Sequence, residues 1–368
     1  MAELFKHIYS QKFFESFTTV LQKIVPDFNT SSFLESIFNH EWEEKELKGR
    51  MRHTSIILHS HLSSNYTTDI GIILKVIEQL QKEGFKESSI EYMFFPDFVE
   101  MYGMNDSASS FAAIEKITQF TSCEFAIRPF IIKFPKKGIK QMIEWSKHRH
   151  PAVRRLSSEG CRPRLPWAMA IPFLKKDPTP ILPILRHLKN DGSESVRRSV
   201  ANNLNDIAKD NPQVVINLAK KWYGQSKEID WLVKHACRTL LKQGNIEVMK
   251  LFGFGSVQKI RVEKFHITTP KVQIGNVLEF TFQITNTDNS PSKLRLEYGL
   301  YYQKANGSLS KKVFKISEKE YSAKSTTVIK RKQSFKIITT RKFHTGLHQL
   351  SIIINGNEYE KNDFQLIV

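Results

Sequence analysis

The spacing of apolar residues changes once, at Leu251-Phe-Gly-Phe-Gly-Ser-Val257, and that switch separates two parts that need different architectures. Upstream, apolar residues recur at three- and four-residue intervals, the mark of amphipathic helices. Phe13, Phe14, Phe17, Val20, Leu21 and Ile24 form one stripe, and Ile73, Leu74, Ile77 and Leu80 another. Downstream, short alternating or β-branched runs predict strands at 272–274, 278–285, 294–302, 311–316, 326–329, 334–338, 346–354 and 364–368. Asn306-Gly307 and Asn355-Gly356 are two-residue hairpin signals between them. Seven or eight strands in roughly 110 residues argue for an immunoglobulin-like β-sandwich over 257–368.

The helical part, 1–250, carries a weak repeat: Pro151-Ala-Val-Arg-Arg-Leu, Glu194-Ser-Val-Arg-Arg-Ser-Val and Trp231-Leu-Val-Lys-His-Ala. Its valines, Val153, Val196 and Val233, are 43 and 37 residues apart, which suits HEAT-like two-helix units stacked into an all-α solenoid. Equivalent helices of such an array lie side by side. The basic residues after each valine (Arg154 and Arg155, Arg197 and Arg198, Lys234 and His235) are then expected to form a ladder on one concave face, suited to a rod of phosphates.

Charge points the same way. A net +18 with pI near 9.6 favours a polyanionic partner, and nucleic acid leads. Residues 257–368 hold 19 Lys+Arg against 9 Asp+Glu, so the sandwich is expected to be a second hand on the same partner, with a solvated lysine-rich surface as the plain alternative. No apolar run approaches the length of a membrane span. The start, Met-Ala-Glu-Leu-Phe-Lys-His, lacks the pattern of a secretory signal, so a cytoplasmic monomer is expected. Cys123, Cys161 and Cys237 are too scattered for a disulfide framework or a zinc site, and neither His59 and His61 nor His148 and His150 have further ligands at metal spacing. No cofactor is implied; GxGxxG, Walker A and GxSxG motifs are absent.

Arginine, aromatic and carboxylate concentrate in 149–167, Arg-His-Pro-Ala-Val-Arg-Arg-Leu-Ser-Ser-Glu-Gly-Cys-Arg-Pro-Arg-Leu-Pro-Trp. Pro151 suits the first turn of a helix, and Gly160 a left-handed cap ending it. Pro163 and Pro166 force a corner before a helix that is expected to open near Trp167. Glu159 then sits at a helix end amid Arg155, Arg162 and Arg164, and an ordinary i, i+4 ion pair with Arg155 accounts for it equally well. Asp206 lies in an i, i+4, i+8 row with Arg198 and Asn202, which a solvated face also explains. Glu124 is set among apolar residues, where it needs a partner or a task; Arg128 at i+4 is the candidate partner. Because the three carboxylates fall on successive units, they can converge on one face. Phosphate would repel such a cluster; a cationic base would not. Trp167 is either a wall for cation–π contact or a core residue.

Four runs resemble the AlkC branch of the AlkC/AlkD alkylpurine DNA glycosylases: Glu46-Leu-Lys-Gly-Arg-Met-Arg-His, Phe95-Pro-Asp-Phe-Val-Glu, Thr121-Ser-Cys-Glu-Phe-Ala-Ile-Arg-Pro-Phe and Ser157-Ser-Glu-Gly-Cys-Arg-Pro-Arg-Leu-Pro-Trp-Ala. The third departs from the family pattern in carrying Cys123 between Ser122 and Glu124. The resemblance implies a HEAT-like solenoid followed by an immunoglobulin-like domain. It also implies excision of N3-alkylated bases from double-stranded DNA, such as 3-methyladenine, with 3-methylcytosine as a further candidate. Carried over by motif, Glu159 is the principal catalytic carboxylate, Glu124 and Asp206 are supporting charges, and Trp167 is the aromatic wall. Arg128, Arg154, Arg155, Arg162, Arg164, Arg198 and Lys234 are the expected DNA contacts. The alternatives are a non-catalytic solenoid that binds distorted DNA and a scaffold for an acidic protein.

Overall fold

A computed structural model describes residues 5–85, 90–337 and 342–368, which form two compact units, 1–236 and 237–368. The division falls ahead of the expected boundary near 250.

In the first unit the order is α1 (Gln11–Gln22), α2 (Thr30–Ile37), α3 (Leu47–His61), α4 (Tyr66–Lys82), α5 (Phe94–Tyr102), α6 (Ser107–Ile117) and α7 (Ile127–Lys133). There follow α8 (Pro135–Trp145), α9 (Pro151–Glu159), α10 (Pro172–Lys176), α11 (Leu182–Leu188), α12 (Glu194–Asp210), α13 (Pro212–Trp222) and α14 (Lys227–Ala236). The repeat is realised as the spacing predicts: α12 packs between α9 and α14, with Val153, Val196 and Val233 all buried. Helix starts follow local chemistry. Pro151 stands in the first turn of α9, and the ring of His150 accepts from the Ala152 amide. Phe94-Phe-Pro-Asp-Phe is packing, since Phe94, Phe95 and Phe98 are fully buried and Phe94 meets Phe13 and Phe17 of α1 edge-on.

Two details of the 149–167 stretch differ from expectation. Gly160 is right-handed helical (φ −63°, ψ −30°), not a left-handed cap. Glycine is required there by closeness: a Cβ would lie 2.6 Å from Ile127 Cγ2 and 3.0 Å from the Leu156 carbonyl, where α9 ends against α7. The next helix opens at Pro172, leaving Trp167 on the intervening corner with φ +63°.

The second unit is the expected sandwich. One sheet has the order β1 (Ile260–Ile267), β3 (Val277–Asn286), β6 (Ser325–Ser334). The other has the order β2 (Lys271–Gln273), β8 (Asn357–Ile367), β7 (Gly346–Ile354), β4 (Ser292–Gln303), β5 (Leu309–Tyr321), with β2 parallel to β8. Phe280, Phe282 and Ile284 of one sheet and Leu296, Leu300, Leu350 and Ile352 of the other enclose the core. β1 escapes prediction because its alternation changes phase at Glu263-Lys264, where the pairing with β3 shifts register and Lys264 has a positive φ. The expected strand at 334–338 does not form: Ser334 ends β6, 335–337 are irregular, and Ile338 lies outside the described residues.

Two short helices, α15 (Arg238–Lys242) and α16 (Ile246–Leu251), belong to this unit because the turn joining them meets the β7–β8 hairpin backbone to backbone. Asn355 and Gly356 both have positive φ (46° and 83°), as a two-residue hairpin requires. A Cβ on Gly356 would lie 2.4 Å from Gly244 Cα. Gly356→Ala therefore combines backbone strain with a clash that no rotamer relieves. It is expected to destabilise this unit by about 2 kcal/mol or more, read as faster hydrogen exchange of the β7 and β8 amides.

Candidate active site

The site is built where α9 ends beside α12. Glu159 is the last residue of α9, and the chain turns back so that Arg162 lies beneath it. Arg162 Nη1 donates to Glu159 Oε1 at 2.6 Å and its Nε to Asp206 Oδ2 at 2.8 Å, so one buried guanidinium joins the two helices. Ser199 of α12 donates to the second Glu159 oxygen at 2.6 Å. Arg155, one turn before Glu159, donates to Glu124 Oε2 at 2.9 Å and approaches Glu159 Oε1 to 3.9 Å. Lys209 closes the far end on Asp206 at 3.0 Å. The result is an alternating row, Glu124, Arg155, Glu159, Arg162, Asp206, Lys209, in which each carboxylate has a cation at its side. Burial works against the Arg162 cation, yet Glu159 and Asp206 on either side hold its guanidinium above the ordinary arginine value.

Burial decides which members can be reached. Asp206 and Arg162 are buried, so the solvated-face reading of Asp206 is overturned. Glu159 retains 5 % exposure. Its strong partner is Arg162 rather than the i, i+4 residue Arg155. Glu124 lies on the turn before α7 and is paired with Arg155 and Ser122, not with Arg128. Cys123, the departure from the family run, points into the interior and leaves Glu124 facing the cleft. Arg155 is partly exposed and stands between two depressions. One of about 490 Å³ is lined by Ser122, Glu124, Phe125, Pro151, Arg155 and Trp167. Another of about 380 Å³ is lined by Arg155, Glu159, Arg198, Ser199 and Asn202.

Trp167 is 75 % exposed and lines the larger depression, which overturns its reading as a core residue. Its left-handed backbone is held from outside the loop: Lys48 of α3 donates to the Trp167 carbonyl and lies over the Phe125 ring at 4.6 Å. Lys48 falls inside the run Glu46–His53, but nothing in that run marks it apart from its neighbours. Ser199, likewise missed, precedes a buried valine and reads as an ordinary helix serine.

Several expected phosphate contacts are structural instead. Arg128 is fully buried, and its guanidinium donates to the carbonyls of Gly160, Arg162 and Met169, pinning both ends of the corner that carries Trp167. Burial, with Arg162 nearby, pulls its pKa down to about 10. Arg162 is consumed by Glu159 and Asp206. Arg154 turns away and grips both Asp191 oxygens, while Arg197 donates to the Asp191 and Gly192 carbonyls. The ladder is therefore a single row from the second residue of each pair: Arg155, Arg198 and His235. Arg164, partly exposed, forms two hydrogen bonds to Asp210; Arg198 is exposed beside Glu194; Lys234 is half-buried on α14.

The fold is similar along the whole chain to that of a solved structure, Pseudomonas fluorescens alkylpurine DNA glycosylase AlkC bound to DNA containing an abasic site analog. The TM-score is 0.92 and identity 32 %, with 100 % of each chain covered. The chain belongs to the AlkC family. The chain is also similar to the Bacillus subtilis (strain 168) protein named "Uncharacterized protein YhaZ", at 40 % identity over 366 residues and 100 % of both chains. Residues 261–368 match the family model described as "Uncharacterised protein YhaZ, C-terminal Ig-like domain". No described helix of this AlkC-family chain is long and apolar enough to cross a membrane.

Because Arg128 holds three carbonyls from within the core, Arg128→Met is expected to cost about 3 kcal/mol or more. Urea unfolding followed by tryptophan fluorescence measures it, since all five tryptophans lie in the first unit.

Proposed function

We propose that this protein is a DNA glycosylase that hydrolyses the N-glycosidic bond of cationic N3-alkylated bases, 3-methyladenine foremost, in duplex DNA. The observation that carries the reading is the convergence of Glu124, Glu159 and Asp206 in one row beside the exposed Trp167. Likeness over the whole chain to a DNA-bound glycosylase supports it.

An alkylated base bears a positive charge, so its bond to C1′ breaks without prior protonation. The bonding electrons go to the base, which leaves neutral, and the sugar becomes an oxocarbenium ion. Carboxylates stabilise that cation, and one of them accepts a proton as water adds to C1′. Glu159 is the principal candidate, because it borders the groove and is oriented by Ser199 and Arg162. Glu124 and Asp206 add negative potential. Arg155 is the replaceable partner in the row. When it turns to a backbone phosphate, Glu124 and the Glu159 edge lose their outer counter-ion and face the lesion. Trp167 supplies the aromatic wall against the cationic base. Arg198, which lines the depression bordering Glu159, is the remaining groove-side phosphate contact, and Arg164 is a further one; Lys234, the first residue of its pair, drops out of the set.

Incubation with methylated duplex should release free 3-methyladenine, detected chromatographically. Glu159→Gln should slow single-turnover release by roughly 10²–10³-fold while duplex binding persists. Full release by that variant would remove Glu159 from the mechanism. Tight, salt-sensitive binding by the wild type with no base released would establish the non-catalytic reading instead.

The sandwich is proposed as the second contact to DNA. Lys304, Lys312 and Lys342 line a depression of about 370 Å³ together with Tyr302, Phe343 and His344. Replacing Lys304, Lys312 and Lys342 with glutamine, and leaving the fourth lysine there, Lys311, on its ion pair with Glu358, should reduce the slope of log affinity against log salt by about 2–3; an unchanged slope would detach this surface from the DNA.

A further inference from the structure

Trp231, at the head of the third repeat, has no part in the carboxylate row. Core packing of α14 is supplied by Ile229, Leu232, Val233 and Ala236, whereas the Trp231 indole is 40 % exposed. It is nevertheless held in a defined stack. The His235 ring lies nearly parallel to it, with centroids 5.2 Å apart and an interplanar angle of 21°. The Arg198 guanidinium, from α12, sits over the indole at 5.8 Å. His235 shares a 2.9 Å hydrogen bond with Asn202 of α12, which ties the stack across both helices. Arg198 and Asn202 also line the depression that borders Glu159, so the stack continues the groove.

We propose that Arg198, Trp231 and His235 form a backbone subsite, spanning α12 and α14 beside the carboxylate row, that takes one phosphodiester of DNA and its attached deoxyribose. This rests on reading the groove as a DNA-binding surface. Arg198 meets the phosphate: its planar fork is exposed, and Glu194 and the indole limit its freedom before any ligand arrives. Trp231 meets the apolar face of the sugar. Since His235 and Arg198 already engage its ring system, a sugar suits the remaining surface better than a stacked base. His235 is a positioning residue that fixes the indole through Asn202.

The test is equilibrium binding of the full chain to a duplex containing an abasic-site analogue, across a salt series. Arg198→Gln should lower affinity and reduce the slope of log affinity against log salt by about 0.9, the signature of one lost phosphate contact. Trp231→Ala should lower affinity about tenfold without changing that slope, and Trp231→Phe should recover most of the loss. Wild-type affinity for Trp231→Ala, or an unchanged slope for Arg198→Gln, overturns the subsite. A larger Trp231→Ala loss on single-stranded DNA than on duplex replaces the sugar by a stacked base and overturns the assignment. Should thermal unfolding show Trp231→Ala to be misfolded, the exposed Arg198 variant decides alone. A wild type that binds duplex but releases no base refutes the glycosylase reading and leaves the subsite standing; one that binds no duplex refutes both.

Discussion

The buried guanidinium of Arg162 is the constraint on which the site depends. It sits between Glu159, at the end of α9, and Asp206, deep in α12, and so fixes two helices that no backbone hydrogen bond joins. Such an arrangement is weak as a source of net stability, because desolvating three charges offsets much of their attraction. Its value is positional. Removing any one member leaves an uncompensated buried charge, a loss of about 3–5 kcal/mol, so the α9–α12 spacing has few alternatives. Arg128 does the same for the adjoining corner with carbonyls in place of carboxylates, and Lys48 holds that corner from α3.

The row also resolves an electrostatic difficulty. Three carboxylates converge within a protein whose net charge of +18 favours a polyanionic partner. Alternating them with Arg155, Arg162 and Lys209 keeps the stretch close to neutral when no ligand is present. The cations differ in burial: Arg162 is enclosed, whereas Arg155 and Lys209 are partly exposed. A polyanion arriving at the groove therefore competes for the outer cations and leaves the inner one in place.

Much of this was legible from residue order alone. The change of period at 251–257 separates helices from strands, the Val-Arg-Arg repeat places α9, α12 and α14 side by side, and the run 157–168 marks the carboxylate and the tryptophan. What remained hidden follows from the range of the interactions. Whether an arginine meets solvent or a carbonyl depends on chain dozens of residues away, so Arg128 and Arg162 looked like surface charges. Glu124 was assigned to Arg128 because i+4 is the contact a helix provides; the turn before α7 removes that geometry and offers Arg155. The compact-unit boundary at 236/237 was masked because α15 and α16 keep a helical period while packing on the sandwich.

The paired arginines carry one more implication. In each doublet the first residue closes a turn: Arg154 clamps the Asp191 carboxylate with two donors, and Arg197 holds the backbone of the same turn. The second faces the groove. Two adjacent positions with the same amino acid are thus under different demands, one for guanidinium shape and one for positive charge. Lysine preserves the requirement at 155 but not at 154, so relatives of this chain that drift in sequence should lose the symmetry of that pair from its groove-facing member first.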